Sequence, residues 1–495
     1  MRPYRYFVIG YFGVLMMRSK SAIVLTFLVL EILTSQKSLS LTKPDEAFLQ
    51  PNSNKLPNRM SVNLPVEADN PSEMVDRREG VLLNGIDSEV TTVLAELQRE
   101  KNGGYNNLLE DILQETRNPS IATGIYRLWE ATSYEAGLSL ARNELLKVVD
   151  EVDFEPTTVQ AAMSYLAKLK HLESQDLLIE IAVNRDSEIA TSAIRAIGLM
   201  GEITDTAKIK WLLEKLEAED PFVEEDLVAA LIVTLGDLRY EPAADELVAI
   251  ADDANIPAIH RGFACISLGK IGRIEDYEVI ERIYYEVDNA ILRSYALAGL
   301  AEFPSQDITA VLVQALKRDS FWRIRKIAAE KLAESDSSSV HELLRYKIAN
   351  DPVKQVRIAS IQALGKSSDR SDWYFLIEYF TNDRNSSDIR LASLLALIEN
   401  KIPGTIEAIF SIMDRLWKKD EGRFLEFICL EVSKIEWTAL APVYERMLDH
   451  ENWIIQIYGI RGIRRNKIAS LMNGIDSLDS EGVDERVRRE IKHGR

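Results

Sequence analysis

Leu292-Arg293-Ser294-Tyr295-Ala296, Ile324-Arg325-Lys326-Ile327-Ala328 and Val356-Arg357-Ile358-Ala359 are variants of one phrase, set 32 residues apart. The phrase extends outward to Arg261 on one side and Arg390 on the other, at intervals of 32 and 33 residues. Seven residues after each arginine stands a leucine: Leu268, Leu300, Leu332, Leu364 and Leu397. A fixed period of this size marks a single supersecondary unit stacked many times. Counted from the residue before each arginine, apolar or small residues fall at offsets 0, 3, 4 and 8, one stripe of an α-helix. Small residues on that stripe, such as Ala264, Ala296 and Ala328, allow a neighbouring helix to come close. A second stripe follows in each unit, as in Leu312 and Leu316, then Leu343, Leu344 and Ile348. No unit can bury two stripes alone, so stacking supplies the core.

The pattern predicts an all-α, right-handed α-solenoid of eleven or twelve helix pairs. Further copies run through Ser187–Gly198 and Leu227–Gly236, and weaker ones flank the array near Ala162–Leu169, Phe424–Val432 and Ile457–Ile463. Gly198, Gly236, Gly269 and Gly365 fall where each helix is expected to end, and are read as left-handed caps. Ile86–Glu100 and Tyr105–Thr116 are read as a first pair around Asn102-Gly103-Gly104. The organisation expected is N-terminal capping helices over 81–120, the array over 121–466 and a charged C-terminal cap over 467–495.

Residues 1–40 read as a leader. Arg18 and Lys20 precede an apolar run from Ala22 to Leu33, and Ser38 and Ser40 supply small residues before Leu41. That is the order of a secretory signal peptide, and the run is shorter than the roughly 20 residues that span a bilayer. Met16 or Met17 is a possible true start. The expectation is export to a bacterial periplasm or envelope, with retained anchoring as the alternative. Residues 41–80, rich in Pro and Asn, read as a flexible tether.

The chain has 495 residues with 78 acidic against 59 basic, a net charge of -19. This balance opposes non-specific binding to nucleic acid and anionic lipid. Its two cysteines, Cys265 and Cys429, share one buried-type register position in distant repeats. Stacked helices lie roughly 8–10 Å apart, which separates these sulfurs well beyond disulfide reach.

On these residues the units resemble HEAT repeats, in particular the short PBS-lyase HEAT-like variety. The family pattern places an Asp near the end of one helix and an Arg about six residues on. Asp319 with Arg325 and Asp351 with Arg357 have that spacing, while Asp288 with Arg293 and Asp383 with Arg390 miss it by one. The resemblance implies a ladder of these side chains between adjacent repeats. At the ends Ala190, Val228 and Gln456 replace the arginine. An acidic residue upstream of each arginine favours paired structural roles over an anion-binding stripe.

Chemistry is sparse. The five histidines make no H-E-x-x-H pair, and no nucleophile elbow or phosphate-binding glycine loop is present. His341-Glu342 and His450-Glu451 match the dipeptides of deoxyhypusine hydroxylases, a HEAT-like di-iron family, in smaller number than that family needs. No cofactor or metal is expected. Trp322 with Arg323 occupies an inter-helix turn and is read as a possible interface anchor. The basic cluster Arg461, Arg464, Arg465 and Lys467 is read as part of a terminal cap rather than a nucleic-acid site. The expected function is a non-enzymatic scaffold or assembly factor for a protein or peptide partner. The alternatives are a ligand-handling enzyme akin to phycobilin lyases and a cytoplasmic regulatory adaptor.

Overall fold

The computed structural model describes residues 71–492, apart from 185–186, 202, 204–207, 304–307, 418–422 and 478–483. The expected leader, and the expected tether as far as residue 70, lie outside the described residues. Among the described residues the regular structure is entirely helical, with twenty-six α-helices and short 3₁₀ turns between them.

The helices alternate between two rows. The first helices of the units are α1 (Pro71–Asn84), α3 (Asn106–Glu115), α5 (Leu138–Val149), α7 (Gln175–Asn184) and α9 (Lys210–Ala218), then α11 (Ala244–Asp252) and α13 (Tyr277–Glu286). That row continues through α15 (Thr309–Arg318), α17 (Ser338–Asn350), α19 (Arg370–Thr381), α21 (Thr405–Leu416), α23 (Ala441–Leu448) and α25 (Ala469–Ser477). The second helices are α2 (Asp87–Glu100), α4 (Pro119–Thr132), α6 (Pro156–Lys168), α8 (Ser187–Met200), α10 (Glu225–Asp237) and α12 (Ala258–Ile271). They run on through α14 (Ala290–Leu300), α16 (Trp322–Lys331), α18 (Lys354–Gly365), α20 (Ser387–Glu399), α22 (Arg423–Ser433), α24 (Trp453–Arg465) and α26 (Glu485–Lys492).

This makes thirteen pairs rather than eleven or twelve. The difference lies at the two ends. Helix α1 begins at Pro71, inside the stretch expected as tether, and Arg78 pairs there with Glu96 and Glu100 of α2. The pair expected around Asn102-Gly103-Gly104 divides differently, because α2 packs on α1 and on α4, while α3 packs on α4. At the other end α25 and α26 form a further unit.

Second helices pack on one another throughout, and they do so at backbone distance in the middle of the array. A Cβ on Gly269 would sit 2.1 Å from the carbonyl oxygen of Gly299, and one on Gly299 would sit 2.2 Å from that of Cys265. A Cβ on Gly236 would come within 2.6 Å of the Cα of Ser267. Hydroxyls fasten the same seam: Thr234 donates to the Ile194 carbonyl (3.0 Å) and Ser267 to that of Ile232 (2.9 Å). The expectation that Gly198, Gly236, Gly269 and Gly365 are left-handed caps is therefore wrong. All four belong to helices, and among the described residues the left-handed glycines are Gly201, Gly272 and Gly404. At Gly236 and Gly269 the absence of a side chain lets two backbones meet, while at Gly198 and Gly365 it makes room for the side chains of Thr234 and Ala396.

First helices touch along their row less closely than second helices do. The row with the shorter spacing lies on the inside of the curve, so the second helices line the concave side. The array comes back on itself, since α26 touches α1. Its apolar residues Val487 and Ile491 are fully buried, as is Leu82 of α1 almost completely.

Candidate functional site

The five periodic arginines sit one turn into their second helices, and four of them point back at the end of the first. Helix ends leave carbonyls without intrahelical partners, and a cation there also meets the negative end of the helix dipole. Arg261 Nε donates to the Ala251 carbonyl (2.9 Å), Arg357 Nε to that of Ile348 (2.7 Å) and Arg390 Nε to that of Phe380 (3.0 Å). Arg325 donates to the carbonyls of Asp319 (3.0 Å) and Ser320 (3.1 Å). These four arginines thus close the preceding helix of their own unit, while Arg293 makes no such bond and its buried Nε has no hydrogen-bond partner among the described residues.

Carboxylate rungs come second, and they cross to the next unit. Arg293 pairs with Asp319 at 2.8 Å, and Arg325 grips Asp351 with both Nε (2.9 Å) and an Nη (2.8 Å). Spacing within a unit suggested Asp319 with Arg325 and Asp351 with Arg357, and neither pair forms through the carboxylates among the described residues. Asp351 also accepts from the Val353 amide and lies 3.3 Å from Lys347 Nζ. Burial alone would raise this carboxyl; the Arg325 fork, the Val353 amide and Lys347 outweigh it and hold Asp351 below the usual carboxylate range.

The rung stops at Arg357. Asp383, the residue 26 positions on, is exposed and turns to Arg390 (3.1 Å) and Arg415 (2.8 Å). The Arg390 guanidinium also lies over the Phe424 ring, 4.2 Å from its centre. Asp288 stays exposed, and Asn289 beside it caps α14 by accepting from the Ile291 and Leu292 amides.

Trp322 is half-buried at the start of α16, and exposed Arg323 lies 5.6 Å from its ring centre. The turn thus offers an aromatic and a cation together, with Phe321 alongside.

The two His-Glu dipeptides are not brought together. His341 packs its Nδ1 2.9 Å from Asp372 and its Nε2 2.8 Å from the Ser335 carbonyl. Asp372 is fully buried, accepts from Ser367 (2.5 Å) and is held by Arg345. His341, Asp369 and Asp372 are close enough to hold an ion, with ligand atoms within 4.8 Å of one another. Both Asp372 oxygens already carry partners, however, and Asp369 caps α19 through the Ser371 amide. Although Ser, His and Asp meet here, the hydroxyl proton goes to Asp372 and not to the imidazole, so the arrangement does not activate a nucleophile. His450 lies tilted against Trp417, with ring centres 4.4 Å apart, and accepts from the Asn452 amide (2.9 Å).

Three arginines of the C-terminal basic cluster are bonded within the chain, while its Lys467 is exposed. Arg461 forks onto Glu490 (2.9 Å twice), Arg464 donates to the carbonyls of Glu490 and Ile491, and Arg465 to that of Ser433 (3.2 Å). Cys265 and Cys429 are buried free thiols; burial pushes Cys265 up to about 12 and Cys429 higher still.

Residues 82–493 match a sequence family described as "Spirochaete HEAT repeat protein". A search of curated proteins gives no match. Among solved structures, Kap121p is 11% identical, with 86% of this chain and 51% of that chain covered and a TM-score of 0.39. Kap121p bound to Pho4p gives 12% identity, the same coverage and 0.38. Human deoxyhypusine hydroxylase in complex with glycerol gives 13%, 61% and 99% coverage, and 0.24. The chain spans about half the length of the Kap121p chains it matches.

Proposed function

The chain belongs to the spirochaete HEAT repeat protein family, and from that premise we propose that it is a non-enzymatic scaffold that binds a protein or peptide. The observation that carries this reading is the unbroken row of second helices, which lines the concave side without interrupting loops, nearly buried through α10, α12 and α14 and exposed in α16 and α18 at residues such as Arg323, Lys354 and Gln362. Repeat arrays use such surfaces for extended partners. The side chains that recur along the array are engaged in holding one helix to the next, which leaves the surface between them to the partner. Likeness to the PBS-lyase type of repeat belongs to the same proposal, as does export through the leader at residues 1–40 to a bacterial envelope.

Crosslinking of tagged full-length protein in cells, followed by mass spectrometry, tests the reading. The expected result is a reproducible envelope partner joined to the array, with a mature chain beginning near Leu41. An intact leader with cytosolic partners would instead make the protein a regulatory adaptor. A chromophore or metal in the purified protein, with no protein partner, would overturn the scaffold in favour of a ligand-handling enzyme.

A further inference from the structure

The turn between α9 and α10 is longer than the turns before α16 and α18. The turns before α16 and α18 use three residues, whereas this one uses six, Glu219–Glu224. Asp220 plays the same local part as Asp319 and Asp351, accepting from the amide two residues on: Phe222 here (2.8 Å), Phe321 (2.8 Å) and Val353 (3.0 Å) there. The rung that draws those other turns inward is missing. Ala190 and Val228 stand in the arginine positions on either side, and among the described residues no cation pairs with Asp220.

The consequence is visible in the apolar residues of the turn. Phe321 and Val353 are half-buried, but Phe222 is 60% exposed and Val223 73%. The turn is nonetheless built, because the amides of Val223 and Glu224 both donate to the Asp220 carbonyl at 3.0 Å. Two large apolar side chains are therefore held out in water on a fixed backbone. A preorganised apolar anchor loses little on binding, and such residues dominate interface energetics.

The charge around the turn selects the occupant. Between Glu214 and Asp253 the chain has thirteen acidic and two basic residues; Glu214, Glu219, Asp226, Asp237, Asp245 and Asp252 are paired with cations, and the other acidic residues still outnumber the basic ones. One of the two, Lys215, is already paired with Glu219. The field reaches the neighbouring first helix, where burial and then the Glu217 carboxylate raise the Glu246 carboxyl. A second copy of this chain is a poor match, since its C-terminal arginines are engaged internally. An anionic lipid surface is repelled.

We propose that the Glu219–Glu224 turn docks a basic protein segment, one with an apolar seat for Phe222 and Val223 flanked by lysine or arginine. This rests on the scaffold reading and names the chemistry of one partner.

Two synthetic amphipathic peptides test it against the full-length chain: one of Leu and Lys, and one with Glu in place of every Lys. Fluorescence anisotropy at low and physiological salt is the readout, and a photo-crosslinking residue at 222 maps contacts in cells. The Lys peptide is expected to bind, the Glu peptide not. F222S/V223S should weaken binding about tenfold or more, and E219K/E224K should weaken it and flatten its salt dependence. Y374S, an exposed aromatic elsewhere, should leave it unchanged, and all variants should keep the parent melting curve. Equal binding by F222S/V223S, equal binding of both peptides, or capture of a second copy or lipid at 222 overturns the proposal. If position 222 fails while a crosslinker at Ile291 on the concave side still captures a partner, this inference alone falls. Silence at both positions removes the scaffold reading as well.

Discussion

Arg325 closes on Asp351 through two N–H contacts of 2.9 and 2.8 Å, and both side chains are withdrawn from water. The pair joins α16 to the end of α17, so one side chain ties two successive units while also closing its own first helix.

Removing one partner of a buried pair costs more than the pair is worth, because the other charge stays buried. Arg325→Ala should therefore lower unfolding free energy by about 3–5 kcal/mol, read from urea titrations. Arg325→Lys should not restore it, since an ammonium cannot replace the fork or reach the Asp319 carbonyl as well. Arg293→Ala, at a more exposed pair, should cost about 1 kcal/mol. Equal losses at 293 and 325 would refute this ranking.

Acid should find the same rung. Asp351 is held below its ordinary range in the folded chain, so the unfolded chain binds the proton more readily. Its contribution is present above the unfolded value of about 3.9 and is lost as pH falls through and below it. Thermal melting across that window should show a smaller acid-induced decline for Asp351→Asn than for the parent chain, from a lower starting stability.

At the seam between second helices, Gly269→Ala places a methyl against the Gly299 carbonyl and forces two backbones apart. The expected cost is about 1–3 kcal/mol or more, as for overpacking. Gly124→Ala meets only the flexible end of Leu94, at 3.0 Å, and should be much milder. Paired melting curves of the two variants decide the matter.

Contact between α26 and α1 couples sequence ends that lie far apart along the chain. Arg461 contributes to that coupling, being close enough to Glu100 for the charge to be felt, beside its main bond to Glu490. Removing residues 485–495 should speed hydrogen exchange in both α24 and α1–α2. Acceleration in α24 alone would show that the ends do not support one another.

Much of this architecture is written in the 32-residue period, because apolar stripes at helical spacing leave few other ways to bury them. The ends were harder to read. Helix α1 was hidden by the prolines and polar residues before it, and the α2–α3 pairing by a Gly-Gly turn that resembles a helix hairpin. The glycines at 198, 236, 269 and 365 are ambiguous in the sequence, because a cap and a close approach both require the same residue. The arginines betrayed their spacing but not their main partners, since a backbone carbonyl has no identity in the sequence. Phe222 and Val223 gave no sign of exposure: only the lengthened turn and the missing rung make them project.

The central claim is that the concave row of second helices receives a protein partner. Photo-crosslinking residues placed singly at Ile291 and Gln362 on that row, and at Tyr346 and Tyr374 on the first helices, test it directly in cells. The account expects the same partner to be captured from 291 and 362, and not from 346 or 374. Capture only from 346 and 374, or from none of the four, would contradict it.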